Sequence, residues 1–374
     1  GIKKRWSLSG SLVGYSIKLP SSAISILSRR PEVLLIEPES IIYNYDFSPI
    51  NVPDDVAIQS NAGWGMARLA QRQQLKPVRN INKFVHNTMD GKGVKAYILD
   101  TGIYLEHSEF DPGRVTWGTT FVSTNPDERD SEQDLNGHGT HVAGIFGGKT
   151  YGIAKMSSII AVKVLDQYGA GVVSDIMSGI EWATEQHLND SLHNDGSYKG
   201  AIINLSLGLG KFSPALNHMI ELCSHFDINI VVAAGNRNSD ACFDSPASSP
   251  YVITVAATTA KDMIAPFSNH GGCVDIFAPG LYIPSAYNSG PYSTASGSGT
   301  SCSAPAIAGL IAYLLSLSPS AHSEFGSDQI MKPVEVKSRL KKFATRDALF
   351  GLPVNTTNLI GYTGGGYDWK GFYH

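Results

Sequence analysis

From Val94 onward, apolar runs of strand length recur along the chain: Val94 to Leu99, Ile159 to Val164, Ala201 to Leu205, Ile228 to Ala234 and Tyr251 to Val255. Helix-length segments lie between several of them, notably Val173 to Gln186 and Pro214 to Phe226. Ala304 to Leu317, rich in Ala, Ile and Leu, reads as a buried helix. Apolar strands alternating with helices predict an α/β fold, a mostly parallel sheet with helices on both faces. In such sheets functional groups gather at the carboxyl ends of the strands.

The first 46 residues follow a different pattern. Leu12 to Leu19 alternates like a strand, Ser21-Ser22 caps a short helix through Leu27, and Val33 to Tyr45 reads as β structure with a turn at Glu37-Pro38-Glu39. Phe47 to Gly63 brings prolines, aspartates and Asn61 with little periodicity, as a linker would. The division is a partial α+β unit over 1–46, a linker over 47–62 and the α/β domain over 63–374.

Composition narrows the function class. With 374 residues and 42% of them hydrophobic, the chain holds a large domain beside a small one. A formal net charge of -4 gives no basic field, so nucleic acid is an unfavoured partner. No apolar run is long enough to span a bilayer, because Ala304 to Leu317 is short and broken by Pro305 and Ser316. Position 1 is Gly with no apolar leader after it, so the sequence reads as a segment of a longer precursor. Cys223, Cys242, Cys273 and Cys302 lack the spacing of a zinc site. Asn189 and Asn355 stand in glycosylation sequons in polar surroundings, whereas the sequon at Asn204 falls in a buried strand.

Four positions carry candidate chemistry. Ser301, in Gly297-Ser-Gly-Thr-Ser-Cys-Ser-Ala-Pro305, is a hydroxyl at a helix entry, where free backbone N–H groups suit an oxyanion. Alone it reads as an N-cap, and only a base and an orienting carboxylate elsewhere make it a nucleophile. Asp100 closes the first strand of the α/β region, and Asp134 and Asp166 are weaker alternatives without that strand-end position. His138, in Asn136-Gly-His-Gly-Thr-His141, precedes an apolar helix and is the candidate base. His141 reads as structural, and a metal pair with His138 lacks a third ligand pattern. Asn236 ends Ala233-Ala-Gly-Asn236, where a side-chain amide complements the Ser301 N–H. Ser206-Leu207-Gly208 offers backbone to an extended peptide.

Asp100, His138, Asn236 and Ser301, each in its own signature and in the order Asp, His, Ser, resemble the subtilisin family of serine proteases. The similarity runs from about Gly63 to the C-terminus and points to the proteinase K branch. Within it, the fungal vacuolar cerevisin type is suggested by Asp240-Ala-Cys242, Phe277-Ala-Pro-Gly-Leu281 and Tyr362-Thr-Gly-Gly-Gly366. The resemblance implies a serine endopeptidase acting on proteins or peptides, monomeric, and needing no cofactor for chemistry. It implies a secretory-pathway location, in the vacuole lumen, cell wall or medium. Residues 1–46 resemble the later part of the family's inhibitory propeptide, which implies self-cleavage between Asp46 and Asn61. Leu209 stands where relatives mostly carry Gly, beside the primary specificity pocket, and Cys302 replaces the usual Met as a thiol open to oxidation. The resemblance brings Cys242 and Cys273 into one neighbourhood without deciding whether they are bridged. It also implies a structural calcium held by the carbonyls of Pro250 and Val252 and the carboxylate of Asp275. The altered surroundings at Cys302, Ser303 and Leu209 motivate an alternative, a catalytically silent scaffold of the same fold.

Overall fold

The computed structural model describes residues 2–8, 12–33, 36, 55–76, 82–122, 125–128, 131–318 and 330–373. It divides into two units, Gly1–Asn51 and Val52–His374. In the smaller unit, β1 (Ile2–Leu8) and β2 (Leu12–Ile17) pair antiparallel, and α1 (Ser21–Leu27) follows. Pro20 holds the N-cap of α1 without a side-chain bond, so Ser21 opens the helix instead of capping it. Most of the β structure expected from Val33 to Tyr45 lies outside the described residues, as do positions 47–54 of the expected linker.

The larger unit opens with β3 (Val56–Gln59), α2 (Trp64–Leu69) and β4 (Phe84–Asn87), and β3 pairs antiparallel with β4. The end of the expected linker is therefore a strand of this unit. Its core is built from β5 (Val94–Asp100), β6 (Val115–Thr120), α3 (His138–Gly147), β7 (Ser158–Lys163), α4 (Val173–Leu192), β8 (Gly200–Leu205), α5 (Pro214–Ser224) and β9 (Asn229–Ala233). There follow β10 (Ile253–Thr258), β11 (Ile276–Pro279), the β12 (Ile283–Ala286) and β13 (Thr294–Gly297) ribbon, α6 (Thr300–Ser316), α7 (Pro333–Phe343), β14 (Thr345–Arg346) and β15 (Leu359–Ile360).

Among the described residues nine strands form one sheet in the order β6-β7-β5-β8-β9-β10-β11-β15-β14, parallel throughout except between β14 and β15. Every residue of β8, β9 and β10 is buried, which explains their largely apolar runs: both faces of the sheet are covered. A Cβ added at Gly179 of α4 would lie 3.1 Å from Leu99, and one at Gly139 of α3 would lie 3.2 Å from Asp100. Leu99 and Asp100 are consecutive on one strand and point to opposite faces, so α3 and α4 cover opposite faces. α6 packs with α3, and α5 with α4. In α6 only Ser301 escapes burial, and each buried Leu or Ile there contributes about 1.5–3 kcal/mol. The helix that carries the hydroxyl is thus the core of the domain.

Candidate active site

Asp100 is the last residue of β5, at a carboxyl edge of the sheet, and is fully buried. Its Oδ1 accepts the Thr101 N–H at 2.7 Å and lies 2.7 Å from His138 Nδ1. This bond holds the imidazole with Nε2 turned away from the carboxylate, and the negative charge of Asp100 raises the His138 pKa above its ordinary value against the opposing effect of burial. The His138 side chain remains 36% exposed and lines a cleft shared with Ser301 and Asn236.

The chain reaches this geometry through a second carboxylate. Asp134 is buried, its Oδ1 accepting from Thr101 Oγ1 and the Asn136 and Gly137 N–H groups, and its Oδ2 from the N–H and hydroxyl of Thr140. Asp134 therefore ties the loop before α3 to the turn after β5, and the alternative role of orienting carboxylate does not fall to it. Asp166 likewise accepts from the Tyr168 and Ala170 N–H groups within its own turn. Only glycine fits at position 139, because a Cβ there would stand 2.0 Å from the Gly102 carbonyl oxygen.

Ser301 sits in the first turn of α6, which begins at Thr300, earlier than the apolar run suggests. Pro305 consequently lies inside the helix and has no N–H to give the Ser301 carbonyl four residues before it. Ser206 Oγ donates to that carbonyl at 3.0 Å and is itself held by Asn204 Nδ2 at 3.0 Å. Ser206 thus anchors the turn that presents Ser301, a side-chain role beyond the backbone contribution expected of it.

Asn236 follows β9. Its Oδ1 accepts the Thr300 N–H at 2.8 Å and the Thr300 hydroxyl at 2.9 Å, which leaves Nδ2 to face the cleft. A Cβ at Gly299 would stand 2.8 Å from Ser301 Oγ and 3.3 Å from Asn236 Nδ2, so hydroxyl and amide converge on one point that glycine keeps clear. Hydroxyl, imidazole, carboxylate and amide come from four separate elements and meet at one end of the sheet.

Three comparisons bear on this arrangement. The family model for the Subtilase family matches residues 91–362, a span that contains all four groups. Cerevisin of Saccharomyces cerevisiae is 39% identical over 377 residues, covering all of this chain and 56% of that protein. Subtilisin-like protease 8 of Arthroderma otae is 40% identical, covering 98% of this chain and 72% of that protein. Among solved structures, a cold adapted subtilisin-like serine proteinase superposes with a TM-score of 0.68 at 37% identity, over 81% of this chain and 99% of that one. The chain belongs to the subtilase family.

Several residues of this subtilase escaped the sequence reading. Lys163 is fully buried and pairs in register with Asp100; its Nζ donates to the Thr101 and Leu165 carbonyls and forms an ion pair with Glu128 at 2.9 Å. It fixes the backbone just after the carboxylate, and its signal is a lysine inside the apolar run Ile159 to Val164. Arg237 and Asp244 line the cleft as an ion pair at 2.9 Å, with Asp244 Oδ1 accepting the Gly210 N–H at 2.7 Å. Arg237 is 55% exposed and Asp244 only 6%. Ser206 to Gly210, with Leu209 packed on the core, line the cleft beside this pair.

Cys302 is buried, and burial pushes its thiol up to about 12, so it stays protonated and sheltered instead of standing as the expected oxidation site. His141 is also buried, its Nε2 3.1 Å from the Ile283 carbonyl, and burial pulls its pKa down to about 4. Cys242 and Cys273 form a disulfide, with Cα atoms 5.3 Å apart. Asn189 and Asn355 are exposed and Asn204 is fully buried, which leaves the first two sequons open to an enzyme.

Proposed function

We propose that this subtilase is a serine endopeptidase made as a self-processing zymogen. The observation that carries the reading is the 2.7 Å Asp100–His138 pair opening onto the cleft where Ser301 Oγ and Asn236 Nδ2 face one point. His138 Nε2 takes the Ser301 proton as Oγ bonds to the peptide carbonyl carbon, and the carbonyl π pair moves onto oxygen. Asn236 Nδ2 and the Ser301 N–H stabilise that oxyanion, and Asp100 stabilises the imidazolium. His138 then gives the proton to the leaving amine as the C–N bond breaks. Water attacks the acyl-enzyme by the same route, releasing the acid and restoring Ser301. Ser206, Leu207, Gly208 and Leu209 line the substrate wall. No cofactor enters these steps.

Residues 1–46 serve as a partial inhibitory propeptide. The antiparallel pairing of β3 with β4 supports a cut before Val56, since one inside β3 would divide a strand of the larger unit. Similarity to cerevisin, and two exposed sequons, support passage through the secretory pathway to a vacuole lumen, the wall or the medium. Among the described residues no helix is long and apolar enough to cross a membrane.

A serine-directed fluorophosphonate tests the reading. Wild type should label at Ser301 by peptide mass spectrometry, and Ser301→Ala should keep the intact precursor mass that wild type loses. A folded wild type that neither labels nor shortens would favour the silent scaffold.

The Arg237–Asp244 pair gives the cleft an exposed cation and a covered anion, which favours substrates with an acidic side chain near the cut. Arg237→Glu should lower kcat/KM for an acidic peptide by roughly tenfold or more relative to its lysine counterpart, in line with about 1–3 kcal/mol for a charged contact. Equal effects on both peptides would remove Arg237 from specificity.

A further inference from the structure

The three oxygens expected to hold calcium do converge, but on a side chain of this chain. Lys337 Nζ lies 3.2 Å from the Pro250 carbonyl, 2.7 Å from the Val252 carbonyl and 2.7 Å from Asp275 Oδ2. An ammonium has three N–H donors, and here each has an oxygen. Lys341, one turn further along α7 on the same helix face, adds a second ammonium 3.1 Å from Asp275 Oδ1. Asp275 is buried, and its Oδ2 also accepts the Thr254 N–H at 3.0 Å.

This donor set does not fit a metal. Calcium takes six to eight oxygens at about 2.3–2.6 Å. Of its three expected ligands here, the carboxylate already carries two ammonium groups and both carbonyls face one of them. A divalent cation would have to displace Lys337 and sit beside two positive charges. The oxygens lie at the amino ends of β10 and β11, where the backbone turns into the sheet and carbonyls lack ladder partners.

We propose that Lys337 is a tethered cation standing where the family resemblance implies calcium, so that the junction of β10, β11 and α7 is held without metal. Its attachment to α7 means that occupancy does not depend on the medium. The ion pairs also dock α7 against the sheet, a task a free metal ion would not perform.

Thermal unfolding of the full chain tests this, in a Ser301→Ala background so that self-digestion cannot set the curve. The parent should melt at the same temperature in EDTA as in millimolar calcium. Lys337→Met keeps the apolar stem and removes the charge; in EDTA it should melt roughly 5 °C lower, since it strips a cation from a buried carboxylate. Calcium should recover part of that loss, and the recovery should vanish in Lys337→Met/Asp275→Asn. A parent whose melting point falls in EDTA, with that response abolished by Asp275→Asn, would overturn the proposal in favour of calcium. A Lys337→Met chain that melts like the parent in EDTA, or never responds to calcium, would overturn it as well. Should Lys337→Met fail to fold, the parent and Asp275→Asn curves still decide between the two cations.

Discussion

Ser301→Ala is expected to lower kcat for peptide hydrolysis by about 10⁶-fold, the size of the loss measured for the nucleophile of subtilisin, a family relative, and carried over from there. Binding should change little, because Asn236 Nδ2, the cleft wall and the Arg237–Asp244 pair are untouched. The comparison is clean in this fold. The backbone of that turn is held without the Ser301 hydroxyl, whose neighbour in the turn is the Cys302 thiol: the Ser301 carbonyl is bound by Ser206, Thr300 by Asn236, and Cys302 N–H by the Gly299 carbonyl. Removing Oγ therefore leaves the scaffold in place, and melting temperature should hold while turnover disappears. A variant that retains wild-type kcat, measured on purified protein with a fluorogenic peptide, would refute the assignment of Ser301.

Asp100→Asn should cost about 10⁴-fold in kcat, as in other serine peptidases whose histidine loses its orienting carboxylate. The pH profile should change with it, and the sign follows from the charge. Activity needs His138 neutral, so the acid limb falls as pH drops through the His138 pKa, which Asp100 raises. Without the negative charge the imidazolium loses its main stabilisation, burial continues to disfavour it, and the limb should move to lower pH. The amide also offers an N–H where Nδ1–H needs an acceptor, so the wrong tautomer gains ground. A kcat–pH series on both proteins would show it. An acid limb that stays put, or moves up, would mean that Asp100 does not control His138.

The central strands were legible because burial on both faces leaves mostly apolar residues to read, as at Tyr97 to Leu99 of β5 and Ala201 to Ile203 of β8. Where that condition fails, the strand pattern is not legible. β6 is only partly buried, β14 and β15 have two residues each, and the β12–β13 ribbon alternates weakly. α7 went unread although Val336, Leu340 and Phe343 recur at helical spacing, because lysines and an arginine dilute the stripe. Missing that helix concealed Lys337. The strand read from Tyr251 begins instead at Ile253, because the Pro250 and Val252 carbonyls turn to Lys337 before the ladder starts.

The candidate site was legible for a different reason. Asp100 closes β5, Asn236 follows β9, and His138 and Ser301 lie in the first turns of α3 and α6, so all four stand at element ends marked by glycine or a strand terminus, and parallel topology gathers such ends. What supports them was less visible. Asp134, Lys163 and Ser206 act through buried bonds to backbone atoms far away in sequence, and spacing alone gives no hint of those partners. Pro305 read as a first-turn residue because proline favours that position. Its true place deeper in α6 became clear only with the Ser206 bond that compensates it.

The sheet separates two kinds of polar group by its own length. The ammonium cluster of α7 sits at the amino ends of β10 and β11, the cleft lies past the carboxyl ends of β8 and β9 in the same parallel sheet, and six residues of strand set the two ends about 20 Å apart. Changes at that range combine additively. Heat tolerance and turnover in this enzyme are therefore independent engineering variables: residues around α7 can be varied in one library, the cleft in another, and the best of each joined without a second search.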